Sequence, residues 1–184
     1  MKKIILMFAA VIMTAGVMSA QDINQATESY NNGAMELQMG NNGAAIEYFQ
    51  SALTMGEALG DEGAELVANC KKAICSAYLG MAKDLYNAKA FDEAAAAFQQ
   101  AKEVAEGYGE AEVAAEAAEL VNQANILKFN TEGKAAMKAK DFATAIASFK
   151  KVLELDPTNG AVAVQLGQAC MNAGQFDEAV AALE

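Results

Sequence analysis

Two stretches decide the fold: Ala45-Ile46-Glu47-Tyr48-Phe49-Gln50-Ser51-Ala52-Leu53 and Ala145-Ile146-Ala147-Ser148-Phe149-Lys150-Lys151-Val152-Leu153. In each, an alanine is followed four residues later by phenylalanine, and three residues beyond that by Ala52 or Val152. Offsets of four and three share one helical face. The pattern recurs at Ala94, Phe98 and Ala101, and again at Ala179 and Leu183. Twelve residues before each alanine stands another small residue: Gly33, Ala82, Gly133 and Gly167.

The physical reading is two antiparallel helices held close. Small residues at facing positions let backbones approach, and the large apolar residue fills the gap beside them. Gly40-Asn41-Asn42-Gly43, Lys89-Ala90-Phe91-Asp92, Lys140-Asp141-Phe142 and Gly174-Gln175-Phe176-Asp177 read as the turns between helices. Asp92-Glu93 and Asp177-Glu178 place acids at a helix start, where they are expected to cap free amides and suit the dipole. The single proline, Pro157, follows Leu155-Asp156 and belongs to a connection between hairpins.

Composition agrees. Of 184 residues, 54% are hydrophobic and 42 are alanine, the best helix former, whereas proline occurs once. The class is all-α. With no histidine, Ser-His and Cys-His pairs and His-ligated zinc are excluded. All 13 basic residues are lysine, against 24 acidic ones, for a net charge of -11, which disfavours nucleic acid as a partner. Glu110, Glu112, Glu116 and Glu119 read as solvated helix-surface acids. No phosphate loop, EF-hand or nucleophile elbow occurs. No enzyme activity, metal or cofactor is expected.

These residues resemble the tetratricopeptide repeat family, whose unit is a 34-residue helix-turn-helix with an A-x3-F stretch. The resemblance implies a right-handed α-α superhelix, here a solenoid of about four helical hairpins over 21–184 with the last incomplete. Gly33, Ala45, Phe49, Ala52, Ala82, Ala94, Phe98, Ala101, Gly133, Ala145, Phe149, Pro157, Gly167 and Ala179 are its packing positions. Departures are informative. The alanines are 49, 51 and 34 residues apart, so only the last spacing equals one unit. The excess falls in 56–74 and 104–125, with turns at Leu59-Gly60-Asp61-Glu62 and Glu106-Gly107-Tyr108-Gly109-Glu110. The first helices of hairpins two and three are therefore expected to run roughly 25 to 30 residues and to project about 12 Å beyond their neighbours. Asn31-Asn32-Gly33 weakens the first helix.

Met1-Lys2-Lys3, an apolar run from Ile4 to Val17 and then Met18-Ser19-Ala20 have the layout of a secretory signal peptide over 1–20. The run is shorter than the roughly 20 residues that span a bilayer, so cleavage rather than anchoring is expected, after Ala20 or Ser19. Its removal leaves no integral span. The expected location is the periplasm or cell envelope of a bacterium. Cys70, Cys75 and Cys170 are odd in number and read as small buried apolar side chains.

In the family, ligands are gripped by the concave face that the first helices line. The positions projected there are Tyr30, Leu37 and Gln38; Leu79, Lys83, Tyr86 and Asn87; Asn130, Lys134, Met137 and Lys138; and Val164, Gln168, Met171 and Asn172. Lys134 and Lys138 share a helix face, and with Lys83 they concentrate positive charge suited to a protein or extended peptide bearing an acidic group. The family's carboxylate-gripping lysine and asparagine set is missing from the first copy, where Tyr30 and Ala34 stand. The function implied is a non-catalytic protein-protein interaction scaffold. The alternative is glycan or lipid-precursor binding within an envelope assembly, disfavoured by the lack of tryptophan. Phe176, Val180 and Leu183 form an uncovered face, so the last hairpin is expected to continue or to associate with another chain, self-association included.

Overall fold

The computed structural model describes residues 20–183, and every regular element in that range is helical. They are α1 (Ala20–Gln38), α2 (Asn42–Ala58), a short 3-10 turn (Gly60–Gly63), α3 (Ala64–Asn87), α4 (Phe91–Tyr108), α5 (Ala111–Ala139), α6 (Phe142–Leu155), α7 (Gly160–Asn172) and α8 (Phe176–Ala181). Each helix packs on the next, and α3 also touches α1 and α5. The result is a helical-hairpin solenoid. The signal peptide expected over 1–20 lies almost wholly outside the described residues.

Four turns close the hairpins in one way. Gly40, Lys89, Lys140 and Gly174 adopt left-handed φ values of 79°, 61°, 60° and 77°. The next residue's N–H then reaches back to a carbonyl five residues earlier: Asn41 to Glu36, Ala90 to Leu85, Asp141 to Ala136 and Gln175 to Cys170, at 2.9–3.0 Å. This is the Schellman arrangement, which satisfies carbonyls orphaned at a helix end. Gly109 repeats it between α4 and α5, with Glu110 bonded to Ala105 at 2.8 Å.

Helix starts differ from the expectation. Ala90 and Gln175 occupy the caps of α4 and α8 without a side-chain bond, and the acids Asp92, Glu93, Asp177 and Glu178 lie inside the first turn. They suit the dipole but cap nothing, because the Schellman turn places Phe91 and Phe176 already in the helix. Capping by side chain occurs at Asp141, which accepts from the Thr144 N–H at 3.1 Å, and at Asn159, which accepts from Val162 at 3.3 Å. Hydrogen bonding from Thr144 holds the Asp141 carboxyl below its usual range.

The packing positions hold the core together. Phe49, Phe98 and Phe149 are buried, as are Ala45, Ala52, Ala82, Ala94, Ala101, Ala145 and Ala179. Fully burying a phenylalanine contributes about 2–3 kcal/mol. A Cβ at Gly33 would stand 2.8 Å from Phe49 Cδ1, and one at Gly133 would stand 2.6 Å from Phe149 Cε1. Glycine is therefore required where the ring packs closely against the facing helix. That contact keeps α1 helical through Asn31-Asn32-Gly33, against their weak propensity. Pro157 is exposed and belongs to the α6–α7 connection, where Asp156 accepts from the Thr158 N–H at 3.2 Å.

The core advances along the chain. One cluster joins α1 to α3 through Phe49, Leu53, Cys70 and Ile74; a second joins α3 to α5 through Leu79, Phe98 and Ala117; a third joins α5 to α8 through Phe149, Val152 and Leu166. Cys75, Ala105 and Ala114 form a bridge where the long helices meet. Here α3 has 24 residues and α5 has 29, but α2 and α4 are lengthened too, to 17 and 18, against 14 for α6. The first helices thus do not project alone. Their extra turns pack on the extended ends of the preceding helices, as at Gly56, where a Cβ would stand 3.0 Å from Val67 Cγ2, and at Gly63 of the 3-10 turn a Cβ would collide with the Gly56 carbonyl oxygen.

Candidate interaction surface

The surface of interest is the outward side of α1, α3, α5 and α7. Each of these helices is locked from behind by its own hairpin, so its exposed side chains stand on a rigid support. The structure sorts the expected lining into two groups.

Tyr30, Leu37 and Tyr86 belong to the hairpin interior. Tyr30 packs against Phe49 with tilted rings and centroids 5.3 Å apart, Leu37 packs into the same cluster, and Tyr86 meets Phe91 at 5.6 Å and Phe98 at 6.1 Å. Leu79 is buried beneath α5 and Met137 packs against the third cluster. These side chains follow the apolar seam, which wins because an aromatic ring gains more from burial than from a groove open to water.

Asn87, Lys134, Lys138, Gln168, Met171 and Asn172 are exposed, as are Gln38 and Val164. Gln168 donates to Asn172 at 3.3 Å, one turn away. Lys83 is exposed but paired: its Nζ lies 2.7 Å from Glu116 Oε1 on α5. The three-lysine concentration of charge is thereby reduced to Lys134 and Lys138, because Glu116 neutralises Lys83. Asn130 is half-buried, and its Oδ1 is enclosed without a hydrogen-bond partner, as is Gln165 Oε1 on α7.

Sequence reasoning missed a polar device between the first two hairpins. Asn42 Nδ2 donates to Asp84 Oδ2 at 2.9 Å, and Asn42 is buried. A Cβ at Gly80 would sit 2.7 Å from Asn42 Oδ1, so this glycine opens the notch that admits the amide. One signal was available: Asn42 holds the repeat position that Phe91, Phe142 and Phe176 fill elsewhere.

Residues 136–184 match a family model described as tetratricopeptide repeat. That segment is similar to the tetratricopeptide repeat family. The match covers the end of α5 through α8, where the alanine spacing equals one 34-residue unit. In the hairpins before it, the lengthened helices stretch the spacing while the small-residue and aromatic contacts persist. No curated protein matches the chain. Tetratricopeptide repeats generally mediate protein-protein interactions. None of the described helices is long and apolar enough to cross a membrane.

Proposed function

We propose that this chain is an exported, non-catalytic scaffold of the bacterial cell envelope that holds a protein or extended peptide against its first helices. The observation that carries the reading is the pairing of a locked interior with an outward polar strip. Lys134 and Lys138 share one face of α5, with Asn87 on α3 and Gln168, Met171 and Asn172 on α7 exposed on the neighbouring first helices. Because the strip stands on packed helices, a partner docks with little ordering of the scaffold. Lysines four residues apart suit a ligand with an acidic group. The envelope location rests on the signal-like layout of Met1–Ala20.

Lys134→Glu/Lys138→Glu should weaken capture of partners from an envelope fraction by roughly tenfold and reduce the salt sensitivity of what remains. Capture unchanged in amount and in salt response would remove the first-helix strip from the account. Sequencing the secreted N-terminus checks the address separately; a chain retaining Met1 would contradict export by a cleaved leader.

A further inference from the structure

Cys70 and Cys75 are fully buried free thiols on one continuous helix, α3, and each sits in a different apolar cluster. Cys70 lies under the first hairpin with Phe49 and Leu53, whereas Cys75 lies with Ala105 and Ala114 where α4 meets α5. Residues 70–75 are therefore the seam that joins the first hairpin to the rest of the array. On a regular helix, residues five apart have Cα atoms about 8.7 Å apart and point about 140° away from each other. A disulfide needs Cα atoms within roughly 7 Å and side chains turned together. Helical α3 and a Cys70–Cys75 bridge thus exclude one another.

The residues between the thiols matter once the segment opens. Cys70-Lys71-Lys72-Ala73-Ile74-Cys75 places two ammonium groups beside the sulfurs, and neighbouring cations favour the thiolate that performs exchange. In the folded chain that chemistry is shut off. Burial pushes both thiols up to about 11, and Lys71 is held over the Tyr108 ring, 5.8 Å from its centroid. We propose that residues 70–75 form a redox latch: a Cys70–Cys75 disulfide, made when the first hairpin lifts away, prevents that hairpin from docking again. The oxidant is a small disulfide such as oxidised glutathione. One cysteine thiolate attacks it, forming a mixed disulfide and releasing one glutathione thiolate; the second cysteine thiolate then displaces the other. The two cysteine sulfurs are oxidised, the glutathione disulfide is reduced, and the protons that the cysteines lose pass to the two glutathione thiolates. Cys170 takes no part, because it is buried in the cluster built by α5 to α8, away from the seam.

The test exposes the full chain to oxidised glutathione at increasing urea below the unfolding transition, alkylates the remaining thiols in denaturant and maps disulfides by mass spectrometry. A Cys70–Cys75 bridge is expected, forming faster as urea rises, with Cys170 left as a thiol. Leu53→Ala thins the cover of Cys70 and should speed bridging at least about tenfold. Leu166→Ala, the same loss in the last cluster, should leave the rate within about threefold. In the bridged chain, amide hydrogen exchange should show Phe49 and Leu53 losing at least about tenfold in protection while Phe149 and Val152 keep theirs, and dithiothreitol should restore the first hairpin. Equal acceleration by the two substitutions would make global unfolding the route to the thiols and overturn the proposal. So would a bridged chain with native protection at Phe49, or oxidation that yields only glutathione adducts, pairs with Cys170 or no bridge.

Discussion

At Gly133 and Gly167 the same repeat position is glycine, but an added methyl meets different neighbours. At Gly133 it would stand 2.6–2.9 Å from three atoms of the Phe149 ring, which is buried and has nowhere to go. The overpacking cost of about 1–3 kcal/mol exceeds the roughly 1 kcal/mol gained in helix propensity. At Gly167 the methyl would stand 3.1–3.3 Å from Leu183, an exposed side chain free to rotate away. Urea denaturation should therefore show Gly133→Ala destabilised by about 1–2 kcal/mol and Gly167→Ala unchanged or stabilised by up to about 1 kcal/mol. Equal effects at both sites would refute the ring-on-glycine packing. The small and large positions were readable because their spacing repeats. The Asn42–Asp84 contact was not, because a polar pair used at one junction leaves no periodic trace.

Among elements, α3 does the most joining. Its Cys70 belongs to the first cluster and its Cys75 to the bridge between the lengthened helices, and both thiols are free and buried. Burial pushes each up to about 11, helped at Cys75 by the negative charge of Glu110. The unfolded thiols ionise near their ordinary value, about 8.5. Between that value and about 11 the unfolded chain holds fewer protons than the native one, so stability is full below the window and falls as pH rises through it. Chemical denaturation at pH 8 and pH 10.5 should show this loss, with a shallower slope in Cys70→Ala/Cys75→Ala. A slope unchanged by the double substitution would assign the alkaline loss elsewhere. Helix lengths show what spacing alone conveys. The excess residues located the long segments and their turns, but not how the excess divides between adjacent helices, since that depends on contacts such as Gly56 with Gly63. Likewise the outward polar positions were legible from helix phase, whereas Tyr30 and Tyr86 were drawn inward by Phe49 and Phe98, and Lys83, though exposed, is paired with Glu116.

Over the whole molecule, clusters succeed one another along the chain instead of closing on a single centre, so stability is a sum of neighbouring interfaces. The most direct measurement is amide hydrogen exchange on a chain lacking residues 20–62, compared with the full chain. Removing α1, α2 and the 3-10 turn should loosen the start of α3, where Cys70 and Ile74 lose their cover. The amides of Phe149 and Val152 in α6 and Leu166 in α7 should keep protection within about tenfold, because their contacts come from α5, α7 and α8. Collapse of protection throughout α5–α8 would show one indivisible core and contradict the stacked array.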